Sequence, residues 1–192
     1  MPAQFVATAS AKVNRGRWWP VLALLGMALA VLFHNSFLPR QILFANDGPL
    51  GFLQADCNRL PERFFGTWRN LGWLGGEGPA AAPTISMLLL TVLSPVLFLK
   101  IFTPFTLFFV GFSAWVFFRQ LQFNPAVCIL GALAAALNMH IFSISCWGLG
   151  TWNVAAGMIF LALAALCTKS VKQFWARAML AGFAVGMGLM DG

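Results

Sequence analysis

The stretch WWPVLALLGMALAVLFHNSFL (residues 18–38) contains no Asp, Glu, Lys or Arg. A membrane-spanning helix needs about 20 consecutive apolar residues. A basic segment precedes this stretch, as in a signal peptide, but the apolar run exceeds the ~7–15 residues of a signal core and no small-residue cleavage site follows. We therefore predict an uncleaved first transmembrane helix over 18–38, preceded by a basic cytoplasmic N-terminus, 1–17.

The composition of the whole chain agrees with this prediction. Hydrophobic residues make up 60% of the sequence and charged residues 9%, and the mean hydropathy is +0.81. Because soluble domains carry about 25% charged residues, we expect an integral membrane protein whose main partner is the lipid bilayer. The net charge of +7 comes from basic residues near the ends of apolar runs, a positive-inside pattern, so nucleic acid is not an expected partner.

Residues 39–83 form a long loop rich in proline and glycine. The loop contains four acidic residues and four arginines, so its net charge is zero, whereas the N-terminus is basic. Positive charge accumulates on the cytoplasmic side, which places this loop outside the membrane. Its apolar and tryptophan-containing stretches predict short helices at the outer membrane surface.

The apolar residues 84–118 allow two interpretations, either one span or two. Two spans would put the basic segment that contains Lys169, Lys172 and Arg177 outside, against the positive-inside tendency. We favour one span over 101–118, with 84–98 as an interfacial or re-entrant segment of an extracytoplasmic region 39–100. Further spans over 126–145, 152–168 and 178–190 complete a four-helix region, 101–192. The predicted fold class is an all-α polytopic transmembrane bundle with about five spans.

The last predicted helix carries small residues at every fourth position, Ala178, Gly182 and Gly186. Such a stripe lets a second helix approach closely in a membrane. It is explained either by packing inside the bundle or by further transmembrane helices, in a longer chain or a partner subunit.

Familiar catalytic motifs are absent from the sequence. It contains no P-loop, no HExxH, no zinc-spaced Cys/His group and no G-x-S-x-G. The outer loop contributes an early carboxylate, Asp47, with arginines nearby that are available for a phosphate. Asp47 precedes Gly48 and Pro49, so it is either an Asx-type turn residue or a general base or metal-binding carboxylate at the membrane surface.

One predicted helix is followed by a long outer loop that carries an early Asp. The stretches that matter most are ILFANDGPLG (42–51), WRNLGWLG (68–75) and SAWVFFRQLQFNPAVCILGALAAALN (113–138). Together these features resemble GT-C type polytopic glycosyltransferases. The closer resemblance is to the YfhO-like bacterial membrane proteins of that superfamily. It covers most of the chain. Because such enzymes have about twice as many spans, the resemblance is to their N-terminal part.

The resemblance implies a function and a set of site residues. Asp47, with Asp56 as the second candidate, would activate the acceptor. The donor would be a polyprenyl-phosphate-linked sugar whose phosphate meets Arg59, Arg63 or Arg69. The site would face outward from a bacterial inner membrane. The paired acids of a DxD motif are absent, and a divalent metal is a minor expectation. The alternative function is a non-catalytic subunit of a larger complex that packs through the Ala178, Gly182 and Gly186 stripe.

Overall fold

The computed structural model describes residues 18–61, 64, 84–167 and 173–192, together with the backbone of 68–69 and 76–77. Its helices are α1 Trp19–Leu32, α2 His34–Phe37, α3 Leu50–Cys57, α4 Ile85–Val92, α5 Pro95–Gln120, α6 Pro125–Ala136, α7 Met139–Trp147, α8 Gly150–Leu166 and α9 Phe174–Asp191. A two-residue antiparallel ladder joins β1, Trp68–Arg69, to β2, Gly76–Glu77. The predicted all-α class is confirmed.

Helix α5 is the central element of the bundle, and it contacts α1, α6 and α8, while α9 packs on α8. It begins six residues before the predicted span of 101–118. The Ser94 hydroxyl accepts a hydrogen bond from the Leu97 amide at 3.3 Å, and Pro95 follows in the first turn. A serine cap followed by proline is a strong helix start, and it divides the expected segment 84–98 between α4 and α5.

Two hydrophobic clusters lie on opposite sides of α5. One joins α5 to α1 and α6 through Val21, Leu25 and Ala132. The other joins α5 to α8 and α9 through Phe102, Val154, and other buried residues. Along the contact between α5 and α8, Gly150 meets Phe102 and Gly157 meets Phe109, so the residue numbers increase in the same direction on both helices. Helices α5 and α8 therefore run in the same direction, as the sequence-based topology requires.

Two of the predicted spans are divided by breaks. The helix expected over 18–38 ends at Leu32, and α2 begins at His34. The helix expected over 126–145 breaks after Ala136, where α6 and α7 meet at a bend of 42°. The Asn138 side chain accepts hydrogen bonds from the amides of His140 and Ile141. An asparagine cap of this kind begins a new helix, which explains the second break.

By length and composition, α5 alone among the described single helices could cross a membrane. The bent pair α6 and α7 would count as a second span, and α1 and α8 are apolar but shorter. The described helices thus provide one or two candidate spans, fewer than the five expected: a break shortens α1, and α8 has only 17 residues.

Candidate functional site

A cavity of about 200 Å³ lies beside the N-terminal half of α5. Its walls come from the loop 45–48, α3, α4, α5 and the turn between α7 and α8. Asp47 and Asp56, the two acids that the sequence analysis selected, both line it. The cavity walls are mainly apolar, and Phe52, Phe98 and Phe102 are among them.

Asp47 is exposed at the cavity, on a loop that is fixed by the turn between α7 and α8. The Asp47 amide donates a hydrogen bond to the Trp147 carbonyl at 3.1 Å. The Asn46 side chain donates to Asp47 Oδ1 at 3.1 Å, in keeping with a local turn. The side chain therefore remains accessible while its backbone is held.

Gly148 makes this close contact between the loop and the turn possible. Its φ is +102°, and a Cβ built there would lie 3.1 Å from the Ala45 Cβ and 3.3 Å from the Asp47 amide nitrogen. Other residues rarely adopt this conformation, which commonly ends helices. Sequence reasoning did not select Gly148, although its place just after the apolar helix around Trp147 is a typical glycine-stop signal.

Asp56 occupies a different position from Asp47. It lies on α3, which begins after Pro49, and only 1% of its surface is exposed. A buried carboxylate is costly unless polar groups surround it, so Asp56 belongs to the interior of the site rather than to its surface. The structure thus gives the two acids an outer and an inner position at one cavity.

Ser86 and Asp191 join two further elements to the site. Ser86 lines the cavity from the first turn of α4. Its amide donates to the Asp191 carboxylate, at 3.4 Å from Oδ1 and 3.3 Å from Oδ2. The Thr84 hydroxyl accepts from the Met87 amide at 3.2 Å, so two side chains cap α4. Sequence reasoning missed Asp191 because nothing local connects it with residue 86.

Of the three predicted phosphate-binding arginines, Arg59 is the one whose side chain the structure describes. Arg59 is exposed just after α3 and is not a lining residue. Arg63 lies outside the described residues, and so does the side chain of Arg69, whose backbone belongs to β1. Among the described residues that line the cavity there is no Lys, Arg or His. No group of three or more His, Cys, Asp or Glu side chains forms a metal-binding cluster in the part of the chain described.

The small-residue stripe of α9 does not face its neighbour α8. Helix α9 buries Ala181, Ala184 and Gly188. A Cβ added at Gly182 or Gly186 would meet no heavy atom of the described structure within 4 Å. Gly182 is exposed, while Ala178 and Gly186 are half-buried, and the predicted role of the stripe in packing against another chain stays a prediction.

No protein-family model, curated protein or solved structure matches this chain.

Proposed function

We propose that this chain is a membrane protein corresponding to the N-terminal part of a GT-C type glycosyltransferase, which transfers a sugar from a polyprenyl phosphate at the outer face of a bacterial inner membrane. The observation that carries the proposal is that Asp47 and Asp56 line one cavity. The resemblance of the outer loop to that family supplies the reaction type.

Exposed side chains support the membrane location, and we keep about five spans and a cytoplasmic N-terminus as the proposed topology. Large apolar residues are exposed along the sides of the helices, including Met27, Leu130 and Phe183. Exposed tryptophans lie near both ends of the bundle, at Trp18, Trp19 and Trp175 on the proposed inner side and at Trp147 and Trp152 on the outer side. Tryptophan is enriched at both membrane interfaces.

The two acids have separate roles in the proposed reaction. Asp47 is exposed, so it accepts the proton of the acceptor hydroxyl as that oxygen bonds to the sugar's anomeric carbon. The bond from this carbon to the donor phosphate breaks, and the polyprenyl phosphate leaves with the electron pair. Asp56 is buried and orients the sugar by accepting a hydrogen bond. Arg59, together with Arg63 and Arg69, balances the phosphate charge.

The test is sugar transfer by the full chain in nanodiscs, measured with a radiolabelled polyprenyl-phosphate sugar and extracted membrane acceptors. Asp47→Asn should reduce the rate by about 10²–10⁴-fold, the usual contribution of a general base. Gln54→Ala is the matched control, since Gln54 is exposed on α3 and does not line the cavity. Equal rates for Asp47→Asn and the unmodified chain would refute the catalytic role, and no transfer at all would refute the activity of this chain.

The small-residue stripe on α9 favours a second candidate, a non-catalytic subunit. A Cβ at Gly182 or Gly186 meets no described atom within 4 Å, so Gly182→Leu and Gly186→Leu should fold normally yet lose a partner that co-purifies after cross-linking. Gly188→Leu is the contrasting variant, because a Cβ there lies 3.2 Å from Met158 and disturbs the packing of α9 on α8. Gly182→Leu with an unchanged set of cross-linked partners would rule out the subunit role.

A further inference from the structure

We propose that residues 34–48 and 139–148 form one hinged lid over the cavity, fastened to α5 by side-chain hydrogen bonds. The first segment of the lid contains α2 and the loop that carries Asp47, and the second contains α7 and Gly148. The inference goes beyond the proposed function, because a lid controls entry to the cavity whatever reaction takes place there.

Each segment of the lid lies between two breaks in the helical structure. The first begins after α1 has ended at Leu32, and it continues to Pro49, which precedes α3. The second begins at the Asn138 cap and ends at Gly148, whose φ is +102°. Hinges are commonly a few residues at the ends of elements, which absorb changes in backbone angles. Both segments can therefore rotate without unwinding α1, α6 or α8.

The two segments are held to each other by backbone and apolar contacts. The Asp47 amide donates a hydrogen bond to the Trp147 carbonyl at 3.1 Å. Leu43 from the loop packs against the same buried cluster as Ile141 and Phe142 from α7. Because these contacts join one segment of the lid to the other, we expect the two segments to move together.

Side-chain hydrogen bonds fasten both segments to α5. The Lys100 ammonium donates to the Leu38 carbonyl at 2.6 Å, and the Ser36 hydroxyl donates to the Lys100 carbonyl at 3.3 Å. On the second segment, the Ser145 carbonyl accepts from the Thr103 hydroxyl at 3.3 Å. Water can replace such bonds, so each contributes modestly to stability, and Lys100 is only half-buried. These contacts act as latches that hold the lid against α5.

The lid forms one side of the cavity. Ala45, Asp47, Gly48 and Gly148 line the cavity from the lid, whereas α3, α4, α5 and α8 provide the rest of the lining. A lid that moves away from α5 would withdraw Asp47 and widen the entrance, and a lid that lies on α5 completes the cavity wall. Lids that open and close in this way admit and enclose ligands in many proteins.

Spin-label distances in nanodiscs test the lid directly. Labels are attached to the full chain, on a background without the native cysteines, at the exposed positions Phe44 and Ser143 of the lid and Leu189 of α9. Lys100→Met removes one latch and keeps an apolar side chain. It should lengthen the Phe44–Leu189 and Ser143–Leu189 distances by more than about 2 Å and leave the Phe44–Ser143 distance unchanged. Lys100→Arg keeps a donor and should resemble the unmodified chain.

Thr103→Val removes a latch on the other segment. The Thr103 hydroxyl bonds to α7, so its loss acts first on the second segment of the lid. If the two segments form one body, Thr103→Val should also lengthen the distance from Phe44, in the first segment, to Leu189. Because the two variants remove different latches, failure of one of them to fold leaves the other to decide.

The native Cys146 gives an independent measurement. Cys146 packs around Leu107 of α5 in the cluster beneath the lid, whereas Cys128 is buried between α1, α5 and α6. The two thiols are compared in full chains that each keep only one of them. Lys100→Met should raise the reaction rate of Cys146 with a small thiol reagent about fivefold or more and leave the rate of Cys128 unchanged.

Three results would overturn the inference. The first is that neither latch variant changes the distances from the lid to Leu189. The second is that the Phe44–Ser143 distance changes as much as the other two, because the segments would then move separately. The third is an equal rise in the reaction rates of Cys146 and Cys128, which would mean a general loosening of the fold. The unmodified chain also decides, since both distances to Leu189 should be more broadly distributed than the Phe44–Ser143 distance, and equal widths would reject the lid.

Discussion

The carboxylate of Asp191 accepts a hydrogen bond from the backbone amide of Ser86, 105 residues earlier in the chain, at 3.3–3.4 Å. The last residue of α9 thereby caps the first turn of α4. Since α4 provides part of the cavity wall, this contact links the position of the last helix to the shape of the candidate site.

Removal of this cap should destabilise the protein modestly. Loss of a capping side chain costs about 0.5–2 kcal/mol, so Asp191→Ala should lower the free energy of unfolding by about 1 kcal/mol and speed hydrogen exchange at the Ser86 amide. Asp191→Asn keeps one acceptor oxygen and should have a smaller effect. Unchanged exchange at Ser86 in the alanine variant would show that the cap contributes nothing.

Gly148→Ala should disturb the loop that carries Asp47. An alanine there would be strained because φ is +102°. Its Cβ would also lie 3.1–3.3 Å from atoms of Ala45, Gly48 and Asp47. We expect a loss of about 1–3 kcal/mol in thermal unfolding in detergent. Gly26→Ala, in open space within α1, is the control and should stabilise α1 by about 0.5–1 kcal/mol. Equal stability of the two variants would contradict this account of Gly148.

Gly111 should tolerate no side chain, because three helices meet there. A Cβ would lie 2.8 Å from Leu25 Cδ2 on α1 and 3.0 Å from both the Ala132 carbonyl oxygen and the Ala136 Cβ on α6. Such overpacking typically costs about 1–3 kcal/mol. Denaturation of Gly111→Ala should show this loss, whereas Gly182→Ala should not. A Gly111→Ala variant as stable as the unmodified chain would mean that α1 and α6 can move apart freely.

Thr106 and Ser145 should be energetically coupled. Their buried hydroxyls are 3.0 Å apart, and Thr106 also donates to the Thr103 carbonyl. Each single variant, Thr106→Val or Ser145→Ala, leaves a buried hydroxyl with a lost partner, whereas the double variant removes both groups. A double-mutant cycle should give a coupling of about 0.6–1.7 kcal/mol, as for polar pairs between membrane helices. Strict additivity would show that the pair does not interact.

The topology predicts which residues react from outside the cell. On a background without the four native cysteines, Asn58→Cys should react with a membrane-impermeant maleimide in intact cells. Phe123→Cys, in the turn between α5 and α6, should react only after lysis. Both native residues are exposed, so accessibility within the fold does not bias the comparison. The reverse pattern would invert the proposed orientation.

The sequence predicted the helical class and the approximate place of the helices, but it did not predict where they break. Apolar runs such as 18–38 and 126–145 look continuous because hydropathy does not register a cap. In the structure α6 ends at Ala136, the Asn138 side chain caps the start of α7, and α1 ends at Leu32. The early start of α5 is also due to a helix cap, because Ser94 and Pro95 begin a helix inside an uninterrupted apolar segment.

For the candidate site, the sequence by itself placed four of the five acids in the outer loop, and the resemblance to GT-C enzymes then pointed to Asp47 and Asp56 among them. Only the tertiary structure decided that both line one cavity, that Gly148 holds the Asp47 loop, and that Asp191 caps α4. Composition and periodicity report on interactions between near neighbours in the chain. A cavity is formed by packing between elements up to 105 residues apart, and such contacts leave no local pattern in the sequence.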